Sequence, residues 1–504
     1  MVVVGDVGST DAYHVGDEAM LMGLLDAVAA DGMAVDWTVV SSDPSATSSR
    51  LGVASVRDFG FAGCHTVADL EPMLNRLDDI LTAPVEQWGS SAPPEWATTL
   101  RAVVESDALI IAGGGNLSHA WPALVCERVA LIRAARRVHR TIAMTGQSLG
   151  PFFGSRTRRL VEEILDACKL VGVRERHSVN VARALGVPPH KIRLCFDDAA
   201  ALASAAPTSP AVSLDRPFIA VTINAFAGTG PEAGSLESLG RQLLALAAHT
   251  GARVVFVPHV GDIASNRGYD IDIAQRLSAL DATGEHFVTV PLPSPLEAVW
   301  YCEHAAVVIS SRYHPIVFGA SAATPSLLLW QDGYTRAKGE GALNLVGQME
   351  WSLSLHDACS GDLLPTAIRL WTQRRDVGAA LQSIGAHIRG SSRRHLTSVV
   401  RSILSDDEAP ASSELDLSDP SASYLTSLVE LADLELDERD RVASTAAATI
   451  TALEQRFTIV EEYARTVERR ATDAERYAAD LERALTIKSA DVEIMAARIA
   501  ELER

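Results

Sequence analysis

Short apolar runs recur along this chain, and almost every one ends in a loop of Gly, Arg, His or Asp before a segment with helical spacing begins. Between residues 1 and 205 the runs are Val2–Val4, Trp37–Ser41, Ala108–Ala112, Thr141–Thr145, Leu170–Val173 and Ile192–Phe196. They are apolar without alternation, as strands buried on both faces are. Asp17–Ala30 and Ala123–Val138 are among the helical segments between them. Such alternation admits few folds, and it predicts a mainly parallel, doubly wound sheet. Ala203–Arg216, rich in Ala, Ser and Pro, reads as a linker. A second set follows it: Phe218–Asn224, Arg253–Pro258, His286–Pro291, Ala306–Ser310 and Ser326–Trp330. The expected fold is α/β, with two Rossmann-like domains (1–205 and 216–404) facing a cleft.

Residues 405–423 turn acidic and rich in Ser and Pro, a flexible linker by composition. Beyond it, 424–504 is expected to be a helical coiled-coil tail. Ile450, Phe457, Ala464, Ala471, Ala478, Leu485, Val492 and Ile499 fall seven apart. Leu453, Val460, Val467, Ala474, Leu481, Met495 and Leu502 complete the seam, broken only at Lys488. A sustained seven-residue period drifts off one face of a straight helix and so favours a supercoil. The tail is expected to make a homo-oligomer or to bind another protein; a long charged helix packed on its own body is the alternative.

The 504 residues are too many for one core. The net charge of −20 argues against a nucleic-acid partner, which needs a basic face. It would also repel an anionic ligand, so a site for one must gather Arg and Lys locally. The six cysteines form no CxxC pair, which leaves zinc and redox motifs without support and predicts buried free thiols. The N-terminus enters an apparent strand rather than a signal peptide. No uninterrupted apolar run is long enough to span a bilayer, so there is no transmembrane segment. A cytoplasmic protein is expected, with work at the inner face of the membrane still open to it.

Ser310-Ser311-Arg312-Tyr313-His314-Pro315 closes the run Ala305–Ile309. The carboxyl end of a parallel strand is where ligands bind in open α/β sheets. There Arg312 offers a fork for phosphate or carboxylate, and His314 offers a proton near neutral pH. His14–Ala19 opens the first helix. Its Asp17 and Glu18 either bind hydroxyls or favour the helix start by the dipole. Gly113, Gly114 and Gly115, followed by Asn116, form a turn that lets a ligand approach the backbone; it is not GxGxxG. Gln147 and Ser148 lie in a similar loop, readers of a sugar or members of a plain turn. Arg174 follows a strand, aimed into the cleft or paired on the surface with Glu175. Asp197-Asp198 orients a cation or a hydroxyl, or caps the next helix. Tyr334, Arg336 and Lys338 are expected in a polar loop after the last strand, with Lys338 as an anion ligand.

The ordered set resembles the polysaccharide pyruvyl transferase family. It comprises GDEAML at 16–21, GGGNL at 113–117, GQSLGPF at 146–152, VRERHS at 173–178, FDDAA at 196–200, SSRYHPIVFGA at 310–320 and the Tyr334–Lys338 segment. The resemblance covers about residues 1–360. One departure is His14, where the family usually has Asn. The resemblance implies a GT-B-like fold and phosphoenolpyruvate as co-substrate, with no other cofactor and no obligatory metal. It also implies a saccharide acceptor of the cell envelope, lipid-linked or nucleotide-linked, and a pyruvate ketal bridging two hydroxyls of one sugar. Arg312, Arg174 and Lys338 would then hold the donor, with Ser311 beside them, and His314 would be the general acid/base. Asp17, Glu18, Gly114, Gly115, Asn116, Gln147, Ser148 and Asp198 would face the substrates. A GT-B glycosyltransferase using a nucleotide sugar, or an assembly factor acting through the tail, are the competing readings.

Overall fold

The computed structural model describes residues 1–61, 67–118, 120–150, 153, 155–208, 216–224 and 233–404. The coiled-coil heptads, the acidic linker, Pro151-Phe152 and most of the predicted linker before Arg216 lie outside the described residues.

The apolar runs become strands. In chain order they are β1 (Val2–Val4), β2 (Tyr13–His14), β3 (Thr38–Ser41), β4 (Ala54–Arg57), β5 (Ala108–Ile111), β6 (Gly114–Leu117), β7 (Thr141–Leu149), β8 (Leu170–Val173), β9 (Ile192–Leu194), β10 (Phe218–Thr222), β11 (Arg253–Phe256), β12 (Val260–Gly261), β13 (Phe287–Thr289), β14 (Val307–Ser310), β15 (Ser326–Trp330) and β16 (Ser352–Ser354). Two parallel sheets result. The first runs β4-β3-β1-β5-β7-β8-β9, with β6 paired to β7; the second runs β13-β11-β10-β14-β15-β16. Strand–helix alternation enforces this, because a parallel crossover needs a long connection that then covers a sheet face.

A third, two-stranded ribbon joins the halves. β2 pairs antiparallel with β12, His14 opposite Val260. Val15 N–H donates to the His259 carbonyl at 2.9 Å, and Ile263 N–H donates to the Thr10 carbonyl at 2.9 Å. The helix Val15–Ala30 lies between the two halves and is apolar nearly all round. Val15, Ala19 and Met20 pack with residues of the second half such as Phe218 on β10 and Phe318 on the helix Tyr313–Ala322. Leu21, Leu24, Ala27 and Val28 pack against the first. A helix that buries opposite faces loses the amphipathic stripe of a surface helix.

Three expectations are corrected. The Tyr334–Lys338 segment is not a loop but the start of helix Gly333–Leu345, which Asp332 caps through Thr335 N–H at 2.7 Å. β15 is not the last strand, since β16 follows it. The third correction concerns helix Leu363–Leu404. Its first half packs on the second sheet through Leu370, Trp371 and Leu381, but Leu396 and Val400 belong to the core under the first. Lys169 Nζ donates to the Ser402 carbonyl at 2.7 Å. The segment 216–404 therefore does not keep to one half.

Of the five described cysteines, Cys126, Cys168, Cys195 and Cys302 are buried. Among the described residues no helix is long and apolar enough to cross a membrane.

Candidate active site

The carboxyl ends of β1, β7 and β8 in the first sheet, and of β11 and β14 in the second, open onto one cleft between the halves. His314 lies at its centre. It occupies the first turn of helix Tyr313–Ala322, just past β14, and is buried. Its ring rests directly on the backbone of Gly16, where an added Cβ would come within 1.8 Å of His314 Nδ1. Only glycine leaves room for that approach. Nε2 has no hydrogen-bond partner among the described residues and lies 3.9 Å from Asp197 Oδ2. Burial, with Arg174, His14, Lys338 and His259 nearby, holds the imidazole well below its usual pKa. It is a neutral base at pH 7.

On one side of His314 stand Arg174 and Lys338. Arg174 is fully buried at the end of β8, its guanidinium 4.3 Å from the Tyr313 ring centre. Nε donates to Ser148 Oγ at 2.8 Å, and Nη1 donates to Asp197. Lys338 Nζ is 3.2 Å from Tyr334 Oη and 5.5 Å from the Tyr313 ring. Tyr334 donates to the Gly115 carbonyl. A Cβ at Gly115 would stand 2.7 Å from Tyr334 Oη, 3.1 Å from Arg174 Nη2 and 3.3 Å from Lys338 Cδ. The bare backbone of Gly115 thus marks where these side chains converge.

On the other side stands Arg312. It is partly exposed and held by Asp270, with Nη2–Oδ1 at 2.7 Å and Nε–Oδ2 at 3.2 Å. Asp270 is completely buried and also accepts from the N–H groups of His259 and Val260, at 3.1 Å each. This geometry fixes the guanidinium without burying it. The structure therefore brings Arg174, Lys338 and His314 together around Tyr313 and Asp197, while Arg312 flanks His314 from the second sheet.

The first-half residues separate into two groups. Asp17 is only partly buried, and its Oδ2 is 3.1 Å from His14 Nδ1. Burial first, and Asp197, raise its pKa to about 6 against Lys338, Arg174 and Arg128. Gly114 and Asn116 lie on β6, so the glycine turn of the sequence reading is in fact a short strand. Glu18, Asp198 and Gln147, by contrast, are engaged by the protein, as is Ser311 of the second half. Buried Glu18 pairs with Arg50 at 2.8 Å. Asp198 accepts from the N–H of Gly113 at 2.9 Å, the N–H of Gly146 at 3.0 Å and the hydroxyl of Thr145. It staples the turn after β5 to the middle of β7. Ser311 Oγ accepts from Asn224 N–H at 2.7 Å. Gln147 donates to the Ala112 carbonyl, which leaves its Oε1 without a partner.

Sequence reasoning missed Asp270, His259, Tyr313 and Asp6 as participants, whereas Asp197, read as orienting a cation or capping the next helix, does both, pairing with Arg174 and accepting from Ala199 N–H at 2.8 Å. Asp6 and His259 follow buried strands, and that position was the available signal.

The two-sheet fold and inter-sheet cleft define a GT-B-like protein. A protein from Listeria monocytogenes described as a UDP-N-acetylglucosamine 2-epimerase superposes with TM-score 0.57 at 11% identity, covering 81% of this chain and 98% of that one. The Neisseria meningitidis UDP-GlcNAc 2-epimerase bound to UDP-GlcNAc gives 0.51 at 12%, covering 81% and 100%. At these identities the likeness is one of fold. Residues 14–333 match the family model of polysaccharide pyruvyl transferase. That is more than half of the chain, which therefore belongs to this family. Comparison with curated proteins found no match.

Proposed function

We propose that the protein transfers the pyruvyl group of phosphoenolpyruvate to a saccharide acceptor of the cell envelope and closes it as a ketal. The observation that supports this most is the gathering of Arg174, Lys338 and Arg312 around a buried imidazole in a chain of net charge −20. A small multiply charged anion is the ligand such a gathering compensates. Family membership points to the same donor class.

The chemistry follows from the charges. Without donor, burial first and the neighbouring cations second keep His314 neutral. Phosphate and carboxylate placed among those cations cancel their field and allow the imidazole to hold a proton. Protonation of the methylene carbon makes the adjacent carbon electrophilic, and one sugar hydroxyl adds. Phosphate then leaves, stabilised by the guanidinium and ammonium groups, and the second hydroxyl closes the ring.

The test is thermal denaturation of the full-length protein with phosphoenolpyruvate, alongside phosphate release in the presence of glycan acceptors. The donor should raise the melting temperature. Arg312→Ala should abolish that rise, whereas His314→Ala should keep it and lose turnover by about 10²–10⁴. Absence of both stabilisation and phosphate release overturns the donor assignment. Stabilisation by a sugar nucleotide in its place would favour a glycosyltransferase.

A further inference from the structure

A second charged cluster lies in the first half, at the end of β1 and the start of the helix Val15–Ala30, within the field of the donor cations. Asp6 follows β1 and is exposed to solvent, yet burial first, and Asp17 second, raise its pKa to about 6. Asp6 thus stands just past the carboxyl end of β1, the edge at which ligands of parallel sheets lie. Asn116 Nδ2 donates to Asp6 Oδ2 at 3.5 Å. Asp17, at the start of its helix, is one of the charges that act on Asp6, and His14 Nδ1 stands 3.1 Å from Asp17 Oδ2.

Arg128 is the independent observation. It projects from helix Pro122–Arg137, is 1% exposed, and donates Nη1 to the Leu124 carbonyl at 3.0 Å. Its Nε and Nη2 have no hydrogen-bond partner among the described residues. Asp6, Glu127 and Asp17 are the charges it feels most. Glu127 is occupied with Phe59 N–H at 2.9 Å. A buried guanidinium with two idle donor atoms costs several kcal/mol unless something repays it, on the order of the unpaired-charge penalty. With Glu127 engaged, Asp6 and Asp17 are the acidic groups left to do so.

We infer that Asp6 and Asp17 are the acceptor-side bases, taking the protons of the two sugar hydroxyls that form the ketal, with Arg128 as the positioning residue that keeps the pair ionised. The inference rests on the function proposed above and assigns the half of the reaction that the donor cations leave open. Atoms balance. Each hydroxyl oxygen forms a bond to the central carbon of phosphoenolpyruvate and gives up one proton, and the carbon–oxygen bond to phosphate breaks. One of the two protons ends on the methylene carbon, which becomes methyl, and the other leaves on hydrogen phosphate. Groups that set the protonation of Asp6 are Asp17, Arg128 and His14, and Asp58 lies within its field. Those facing Asp17 are Lys338, Arg174, Asp197 and Arg128.

The experiment uses the full-length protein, phosphoenolpyruvate and a panel of methyl hexopyranosides, with phosphate release as readout. Asp6→Asn should lower kcat by at least about 100-fold while leaving donor-induced thermal stabilisation as in wild type. Arg128→Met should move the acid limb of the kcat profile to higher pH, and Arg128→Lys should restore it. A readout free of acceptor is the His14 imidazole followed by ¹⁵N NMR. Asp6 supports the charged form of His14, so Asp6→Asn should shift its titration to lower pH. An Asp6→Asn enzyme with kcat within about threefold of wild type, or an unmoved His14 titration, overturns the inference while the donor reading stands. Loss of donor stabilisation and phosphate release in the wild type overturns the donor reading itself.

Discussion

Gly16→Ala tests the closest contact in the site. The substitution is nearly invisible in sequence terms and is conformationally permitted, because Gly16 is not among the positive-φ glycines. Gly16 lies in the first turn of a helix, where Ala is favoured over Gly by up to about 1 kcal/mol. Without a neighbour the change would stabilise. With His314 in place, the new methyl lands 1.8 Å from Nδ1, 2.3 Å from Cγ and 2.5 Å from Cε1. Ordinary carbon contacts are about 3.5–4.0 Å, so the ring must move by roughly 2 Å. Overpacking of this kind costs about 1–3 kcal/mol, which reverses the sign of the propensity gain. A catalytic group misplaced by 1 Å loses about 100-fold in rate. The assay is a double-mutant cycle in denaturant unfolding, with phosphate release in parallel. Gly16→Ala should destabilise the wild type and cut turnover by about 100-fold. In a His314→Ala background, which empties the space, it should stabilise. A coupling energy of about 1–3 kcal/mol would result. If Gly16→Ala has the same effect in both backgrounds, His314 does not rest on Gly16 and the site geometry is wrong.

Three further outcomes are expected. Phosphoenolpyruvate binding at pH 7 should take up protons, because His314 is depressed by burial and then by the neighbouring cations, and the donor's negative charge offsets the latter; calorimetry in buffers of differing ionisation enthalpy measures this, and His314→Asn should reduce it. Acid should destabilise the fold: His259 is buried and His395 partly buried, and desolvation lowers both to about 4. Stability they provide is complete above the unfolded value near 6.5 and is lost as pH falls through 4, at up to about 1.4 kcal/mol per group per pH unit; unfolding midpoints across that range measure it, and His395→Gln should flatten the slope. A chain ended at Leu404 should sediment at lower mass than the full chain if the heptad tail drives association, and an unchanged mass refutes that role.

Much of the fold was legible because a strand buried on both faces leaves an unambiguous apolar run. β1, β8 and β15 begin and end where their runs do. β4 was not legible, since Ala54-Ser55-Val56-Arg57 is partly exposed at a sheet edge and so lacks that signature. The ribbon of β2 and β12 was invisible because two-residue strands carry no period. The path of the Leu363–Leu404 helix was hidden for another reason. Its apolar spacing reveals that it buries a face, but not that two different cores share that face. In the site, Arg312 and His314 were legible from their place after β14. Asp270 was not, because a carboxylate in a helical segment reads as solvated until a partner 42 residues away in sequence is brought to it.

That last point explains how the site tolerates its own charge. Each donor-side guanidinium has a carboxylate assigned to it, Asp197 for Arg174 and Asp270 for Arg312. An unpaired buried guanidinium would be costly to fold, and a fully satisfied one would bind nothing. Arg312 escapes both extremes by remaining partly exposed while Asp270 spreads its charge over two backbone N–H groups as well. Its attraction for an incoming anion is thus only partly cancelled. Arg174 is gripped more tightly and is fully buried, so its contribution is orientation and long-range field rather than a free fork. The division predicts unequal mutants: loss of Arg312 removes donor affinity, whereas loss of Arg174 also leaves Asp197 buried without its cation beside His314, and so costs stability as well as binding.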